Sequence, residues 1–179
     1  MHYEVCDFAL DIVQNSVEAG ARTIVVEIAT GCGRVGIRVE DDGCGMTEDE
    51  LRRAVDPFFT DGKKHAGRKV GLGIPFLLQS LEQAGGSHEL RSKKGEGTVF
   101  AFEFPADSID TPPLGDVAGF FLSALSFDGG YELAARRLRD GAEAYAFKRS
   151  ELADAVGDLH DAASLASIRE FLVSCELGD

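Results

Sequence analysis

The stretch Asp11-Ile12-Val13-Gln14-Asn15-Ser16-Val17-Glu18-Ala19-Gly20-Ala21 carries the most informative pattern in this chain of 179 residues. Apolar residues recur at helical spacing from Val5 to Val17, and Gly20 ends the pattern. The pattern predicts a helix over residues 4–20. Asp11 and Asn15 are four positions apart, so their side chains project from one face of that helix.

Asp11 and Asn15 suit a magnesium–triphosphate ligand. The amide oxygen of Asn15 is a hard, neutral ligand, and Mg²⁺ prefers oxygen ligands and keeps several waters. The carboxylate of Asp11 can take a proton from an attacking hydroxyl group. Taken alone, the pair is more typical of the solvated face of an amphipathic helix. The motifs that follow shift the balance toward a ligand site.

The second motif, Asp41-Asp42-Gly43-Cys44-Gly45, follows a strand pattern. A bare Asp-Gly turn would fit a hairpin, but the next segment is typical of a helix rather than of a partner strand. Two glycines in three residues permit close approach of the backbone to a flat ligand. A buried carboxylate there can accept a hydrogen bond from the exocyclic amine of adenine, whereas guanine presents a carbonyl.

The third motif, Gly71-Leu72-Gly73, opens another predicted helix. The free amide groups and the positive dipole end of a helix start suit a phosphate. The densest basic cluster of the chain, residues 63–69, precedes this motif and is interrupted by glycines. A cationic loop folding over a triphosphate has this composition, and a solvated loop is the alternative.

These motifs, in this order, resemble the ATP site of the GHKL superfamily, which groups gyrase, heat-shock chaperone ATPases, histidine kinases and MutL-type ATPases. The first motif is most similar to the MutL-type version. Pro57-Phe58-Phe59-Thr60 and the run from Gly71 to Phe100 are similar to histidine-kinase catalytic domains. The resemblance covers residues 4–105. Small stand-alone ATPase proteins of anaerobic bacteria, of histidine-kinase-like or anti-sigma-factor-like type, are also similar.

The resemblance implies ATP as ligand and magnesium as cofactor, with Asn15 as the metal ligand. It places Asp11 where hydrolysing members carry a longer Glu, so slow turnover or a role other than hydrolysis is expected. It assigns the reading of adenine to Asp41, with Thr98 holding the same group through water. It also implies that the following residues contact the nucleotide: Glu18, Ala19, Gly43, Gly45, Met46, Phe59, Lys64, Arg68, Lys69, Val70, Gly71, Leu72 and Gly73.

The elements of residues 4–105 predict an α+β fold. Helix, two strands, two helices and two strands follow one another, which favours a two-layer α/β sandwich with a mixed sheet covered on one face by helices. The resemblance makes this a Bergerat-type ATP-binding fold. We expect an ATP-binding domain over residues 1–106, a linker over 107–113 marked by Pro112-Pro113, and a small C-terminal appendage over 114–179.

The appendage is predicted to be α/β or helical. Residues 117–127, 150–156 and 164–175 fit helices, whereas residues 131–147 fit either a hairpin around Asp140-Gly141 or one continuous helix. We expect the appendage to bind a partner protein or to form a homodimer.

Composition excludes several classes of partner. The net charge of −13 disfavours binding to nucleic acid or to an anionic membrane. No apolar run approaches the roughly 18 residues of a membrane span, and the N-terminus lacks the features of a signal peptide. Four scattered cysteines are typical of free thiols in a reducing cytoplasm. The chain is therefore expected to be cytoplasmic.

The reaction is expected to transfer phosphate to a separate protein. The predicted ATP domain begins within a few residues of Met1, and none of the four histidines has the flanking residues of a phosphoacceptor. A hydroxyl group or water needs a base more than imidazole does, so Asp11 favours Ser/Thr transfer or hydrolysis. Three hypotheses follow: a protein kinase, an ATPase or nucleotide-dependent switch, and a nucleotide-sensing module without catalysis.

Overall fold

A computed structural model describes residues 4–56 and 73–178. The helices are α1 (Val5–Glu18), α2 (Glu48–Ala54), α3 (Gly73–Ala84), α4 (Val117–Leu125), α5 (Arg149–Val156) and α6 (Ala162–Leu177). The strands are β1 (Thr23–Gly31), β2 (Arg34–Asp41), β3 (Ser87–Lys93), β4 (Gly97–Pro105), β5 (Glu132–Arg139) and β6 (Ala142–Lys148).

The six strands form one sheet in the order β3-β4-β2-β1-β5-β6. The pairing of β1 with β5 is parallel and the other pairings are antiparallel. Alternate residues of β1, namely Ile24, Val26 and Ile28, are fully buried and share a hydrophobic core with the helices. The predicted mixed sheet and α/β sandwich are confirmed.

The C-terminal segment continues the sheet and the core. Strand β5 lies beside β1 along its whole length, and Phe121 of α4 packs edge-on against Phe147 of β6. Of the two alternatives for residues 131–147, the hairpin is correct. Asp140 and Gly141 both have positive φ, as the tight turn between β5 and β6 requires. Pairing with β1 therefore overrides the helix propensity of this Ala- and Arg-rich stretch.

The last residue of the predicted linker, Pro113, and the residue after it, Leu114, are hydrogen-bonded to the start of α1. The Val5 N–H donates to the Pro113 carbonyl at 2.9 Å, and the Cys6 N–H donates to the Leu114 carbonyl at 3.0 Å. Helix starts leave such N–H groups without intrahelical partners, so these two carbonyls cap α1. The chain between the sheet and α4 thereby fixes one end of the helix that carries Asp11 and Asn15.

In the two ranges that the structure describes, no helix has the length and apolarity needed to cross a membrane.

Candidate functional site

The carboxylate of Asp41 lies at the end of β2, half-buried against α1. The Ser16 hydroxyl donates to Asp41 Oδ2 at 2.7 Å, and the Gly43 N–H donates to Asp41 Oδ1 at 2.8 Å. Two carboxylate oxygens can accept about four hydrogen bonds. Asp41 is therefore fixed in orientation by two donors and keeps acceptor capacity for a ligand.

Sequence reasoning missed Ser16. Its side chain is 3% exposed and lies on the buried stripe of α1. The sequence did contain an indication of its burial. Ser16 is four positions after Ile12, so it is a polar residue at a position of the apolar stripe. A buried hydroxyl needs a partner. The Ser16 oxygen lies 3.2 Å from the Ile12 carbonyl oxygen and 2.7 Å from Asp41 Oδ2, and the shorter contact is the one to Asp41.

The neighbouring Asp42 has a structural role. Its Oδ1 accepts hydrogen bonds from the Thr23 N–H at 2.8 Å and the Arg22 N–H at 2.7 Å. These bonds, with that from Thr23 the strongest influence, hold the pKa of Asp42 below its ordinary value. Asp42 thus fixes the start of β1, which leaves Asp41 as the carboxylate of this pair that is available to a ligand.

The glycines of the Asp41–Met46 turn allow it to pack on its neighbours. A Cβ on Gly43 would lie 2.9 Å from both the Ala19 Cβ and Asp41 Oδ1. Gly45 has a φ of +57°, and a Cβ there would lie 2.0 Å from the Lys93 carbonyl oxygen. The turn is therefore pressed against the end of α1 on one side and against the β3–β4 hairpin on the other.

Thr98 lies directly opposite Asp41 in the pairing of β4 with β2. The Thr98 hydroxyl is 2.8 Å from the Ser92 hydroxyl, which also accepts a hydrogen bond from the Met46 N–H at 2.9 Å. Ser92, which the motifs did not single out, therefore joins two predicted nucleotide-binding residues. Ser92 lies opposite Thr98 in the pairing of β3 with β4, and this position becomes visible only in the folded structure.

Asp11 and Gly73 bring α1 and the start of α3 together. A Cβ on Gly73 would lie 2.3 Å from Asp11 Oδ2, so a larger residue there would displace the Asp11 carboxylate. Although the Asp11 side chain reaches solvent, partial burial, followed by the charge of Asp7, raises its pKa above the ordinary value. A carboxylate of raised pKa is a stronger base, as proton abstraction requires.

Asn15 lies one helical turn beyond Asp11 and is exposed. Glu18 accepts a hydrogen bond from Gln14 Nε2 at 2.9 Å. Over residues 4–56 and 73–178, no group of three or more His, Cys, Asp and Glu side chains could hold a metal ion alone. The amide oxygen of Asn15 fits a magnesium ion whose remaining ligands are phosphate oxygens and waters.

Seven of the predicted nucleotide contacts lie outside the described residues. They are Phe59, Lys64, Arg68, Lys69, Val70, Gly71 and Leu72.

The opposite face of the sheet carries a shallow depression of about 390 Å³, away from these residues. Its charged rim is paired internally. Arg34 contacts Glu103 at 2.7 Å and Glu27 contacts Arg136 at 3.0 Å. This face is a solvated, self-neutralised surface rather than a second candidate site.

Comparison with known proteins identifies the family. Residues 6–108 match the model of the histidine kinase-, DNA gyrase B- and HSP90-like ATPases. The chain belongs to this family. The GHKL resemblance is thereby confirmed, and it rests on the segment that contains Asp11, Asn15, Asp41 and Thr98.

Individual relatives agree with this assignment. Sporulation kinase C of Bacillus subtilis is 32% identical over 101 residues, which covers 55% of this chain and 23% of that kinase. The DNA mismatch repair protein MutL of Rhizorhabdus wittichii is 50% identical over 46 residues, covering 26% of this chain and 8% of MutL. The chain thus spans less than a quarter of the length of these curated relatives.

One solved structure matches nearly the whole chain. The N-terminal domain of a DNA repair protein aligns with 90% of this chain and 58% of its own, with a TM-score of 0.52 and 9% sequence identity. At this identity the likeness shows the fold alone. It extends beyond residues 6–108 and so includes part of the C-terminal segment.

Proposed function

We propose that this chain binds Mg-ATP between α1, the Asp41–Met46 turn and Thr98, and that it transfers the γ-phosphoryl group to a partner protein. The observation that carries the proposal is the carboxylate of Asp41, held by two donors on its protein side at 2.7 and 2.8 Å. ATP-binding is the general property of the family to which the chain belongs.

The free acceptor sites of Asp41 suit the exocyclic amine of adenine. That amine donates hydrogen bonds, whereas guanine presents a carbonyl oxygen at the same position. A carbonyl placed against the carboxylate would leave a half-buried charge without a donor, which is costly. ATP is therefore the expected nucleotide, and GTP is expected to bind more weakly.

Magnesium would be held by the Asn15 amide oxygen, together with oxygens of the triphosphate. Asp11 is one helical turn away on the same face of α1. With this spacing, a base of raised pKa would lie close to the phosphates of a nucleotide whose metal is held by Asn15. The phosphate contacts implied for residues 64–72 remain part of the proposal.

Transfer to a partner protein is supported by the base and by the relatives. Asp11 can take the proton of an attacking serine or threonine hydroxyl. Several relatives of the ATP-binding segment are kinases by name, including sporulation kinase C. The same carboxylate serves a water molecule equally, so slow hydrolysis that drives a conformational switch is the second candidate. We further propose a cytoplasmic location, where ATP is available and free thiols persist.

The C-terminal segment is the proposed partner-binding or dimerisation surface. Its last helix, α6, exposes Phe171, Val173 and Leu177, the last of which is 71% exposed. Val173 and Leu177 are four positions apart and share one exposed face of α6, whereas Phe171 lies on the other side of its buried stripe. The Val173–Leu177 face is the apolar surface that we propose for contact with a partner. The same segment caps α1 through Pro113 and Leu114, so a partner bound there would be connected to the helix that carries Asp11.

Titration calorimetry with Mg-ATP tests the binding proposal. The wild-type protein should bind ATP, and Asp41→Asn should weaken binding about 10- to 100-fold, the scale of a charge-assisted hydrogen bond. Glu40→Gln is the matched control, because Glu40 is the exposed neighbour on the same strand. An absence of binding heat with the wild-type protein would refute the proposal.

Incubation with γ-labelled ATP separates the candidate reactions. Label on a co-purifying protein supports the kinase, and free labelled phosphate supports the ATPase. If ATP binds and stays intact with and without partners, both reactions are excluded, and the chain senses nucleotide without catalysis.

A further inference from the structure

A row of polar side chains crosses the ends of three neighbouring strands. Asp41 of β2 pairs with Thr98 of β4, and Thr98 pairs with Ser92 of β3. Directly paired residues point to the same face of a sheet. Because Asp41 faces Ser16 of α1, Thr98 and Ser92 also face the helix layer, where the proposed nucleotide lies.

The hydroxyl of Ser92 has three polar contacts. They are the Met46 N–H at 2.9 Å, the Gly97 carbonyl oxygen at 3.0 Å and the Thr98 hydroxyl at 2.8 Å. A hydroxyl group has one proton to donate and two lone pairs to accept with. Met46 N–H can only donate, and the Gly97 carbonyl can only accept.

One arrangement of protons makes all three contacts hydrogen bonds. Ser92 donates to the Gly97 carbonyl and accepts from both the Met46 N–H and the Thr98 hydroxyl. The single proton of Thr98 is then used within the protein. Both lone pairs of the Thr98 oxygen remain for a ligand, beside the carboxylate of Asp41, which also only accepts.

We infer that Ser92 is a positioning residue that makes this corner of the site accept hydrogen bonds only, and so selects a base with an exocyclic amine. The inference rests on the proposed nucleotide site and names a determinant of its specificity. Without Ser92, the Thr98 proton is free to turn toward the ligand. It can then donate to a carbonyl, and the preference for adenine weakens.

The test compares Mg-ATP with Mg-ITP, which carries a carbonyl in place of the exocyclic amine. The wild-type protein should prefer ATP. Ser92→Ala should reduce the ratio of the ITP and ATP dissociation constants about fivefold, the scale of one neutral hydrogen bond. A merely structural role would weaken both nucleotides equally and leave the ratio unchanged. Ser87→Ala, at an exposed position of the same strand, is the control and should leave both constants unchanged.

A double mutant tests whether Ser92 acts through Thr98. Thr98→Val removes the hydroxyl group and keeps the side-chain shape, so it should also reduce the preference. Ser92→Ala should then have no further effect on the ratio in the Thr98→Val background.

The outcomes distinguish failure of the proposed function from failure of the inference about Ser92. If the wild-type protein binds no ATP, the proposed function fails and this inference fails with it. If it binds ATP without preference over ITP, or if Ser92→Ala keeps the preference, only the role of Ser92 is overturned. If Ser92→Ala shows no cooperative thermal unfolding, it is not folded, and the test then uses Thr98→Val alone. An unchanged ratio of the ITP and ATP dissociation constants in Thr98→Val would contradict the inference.

Discussion

Asp41 and Glu176 are two half-buried carboxylates at helix–sheet contacts, and they differ in the number and charge of the groups that donate hydrogen bonds to them. Asp41 accepts from one hydroxyl and one backbone N–H. Glu176 accepts from Tyr145 OH at 2.5 Å and Arg137 Nε at 3.2 Å on one oxygen, and from an Arg139 nitrogen at 3.0 Å on the other. Two cations and a hydroxyl leave Glu176 little capacity for a ligand, whereas Asp41 retains it.

We propose that the difference separates a structural carboxylate, Glu176, from a ligand-binding one, Asp41. Arg137 is 3% exposed and donates also to the carbonyls of Ile28 and Leu138, so its pairing with Glu176 fixes α6 to the sheet. Losing one member of a buried ion pair leaves an uncompensated charge and is destabilising. Changes at Glu176 should therefore affect folding, and changes at Asp41 or Asp11 should affect nucleotide chemistry.

The largest effect is expected at Asp11. Asp11→Ala should lower phosphate transfer or release about 10²- to 10⁴-fold, because it removes the proposed general base. The affinity for Mg-ATP should stay unchanged. Single-turnover assays with labelled ATP measure the rate, with Asp49→Ala on the exposed face of α2 as control. Full activity in Asp11→Ala would show that the base is another group.

Glu176→Gln should have the next largest effect, on stability. We expect a loss of about 2 kcal/mol, below the range for fully buried pairs because the Glu176 side chain is 23% exposed. Denaturant unfolding measures this loss, and Glu170→Gln, an exposed position on the same helix, is the control. The folded variant should bind Mg-ATP with wild-type affinity. A loss of ATP affinity at unchanged stability would invalidate the contrast with Asp41.

A moderate effect is expected from pH. Burial and then Asp7 raise the pKa of Asp11, and Asp11 would act as a base in its ionised form. Activity should therefore fall, as pH decreases, at a midpoint above the ordinary value for Asp. Asp7→Asn removes the second cause and keeps an oxygen to cap Glu4 N, so this midpoint should move to lower pH. An unmoved midpoint would mean that another group controls the profile.

The same pKa shift predicts a stability change of known sign. A raised folded-state pKa means that the ionised form of Asp11 costs stability, and this cost appears as pH rises from the unfolded-state pKa through the folded-state pKa. Asp11→Asn should therefore raise the unfolding temperature at neutral pH. Below the ordinary pKa of Asp the variant and wild type should differ much less. Melting curves across this range test the sign.

The smallest effect is expected on the open face of the sheet. Arg34 and Glu103 form an ion pair in which the side chains are 54% and 41% exposed. Glu103→Gln should change stability by less than about 0.5 kcal/mol, because solvent screens such pairs. A larger loss in denaturant unfolding would show that this face is less solvated than its exposure indicates.

Local patterns predicted most of the fold. The apolar period of α1 and the alternation of β1 and β2 are properties of neighbouring residues, so the sequence alone contains them. The pairing of β5 with β1 joins segments about a hundred residues apart, and no local pattern encodes it. The hairpin and the helix were for this reason close alternatives for residues 131–147.

The residues of the proposed site could be named from the sequence where they belong to a motif, and their role stays a prediction. Asp41 and Thr98 belong to such motifs, and the structure places them opposite each other. Ser16 and Ser92 act through single hydroxyl groups, each of which has a partner distant in sequence, 25 positions away for Ser16 and 46 for Ser92. Serine is common on helices and strands, so only the folded structure shows which hydroxyl group is engaged.

The most direct test of the role of Asp41 is a comparison of Mg-ATP with the triphosphate of purine riboside, which lacks only the exocyclic amine. The wild-type protein should bind ATP about 10- to 100-fold more tightly than this analogue, by calorimetry. In Asp41→Asn the two affinities should be nearly equal, because the group proposed to recognise the amine is changed. A preference for ATP that persists in Asp41→Asn would contradict the assignment of adenine recognition to this carboxylate.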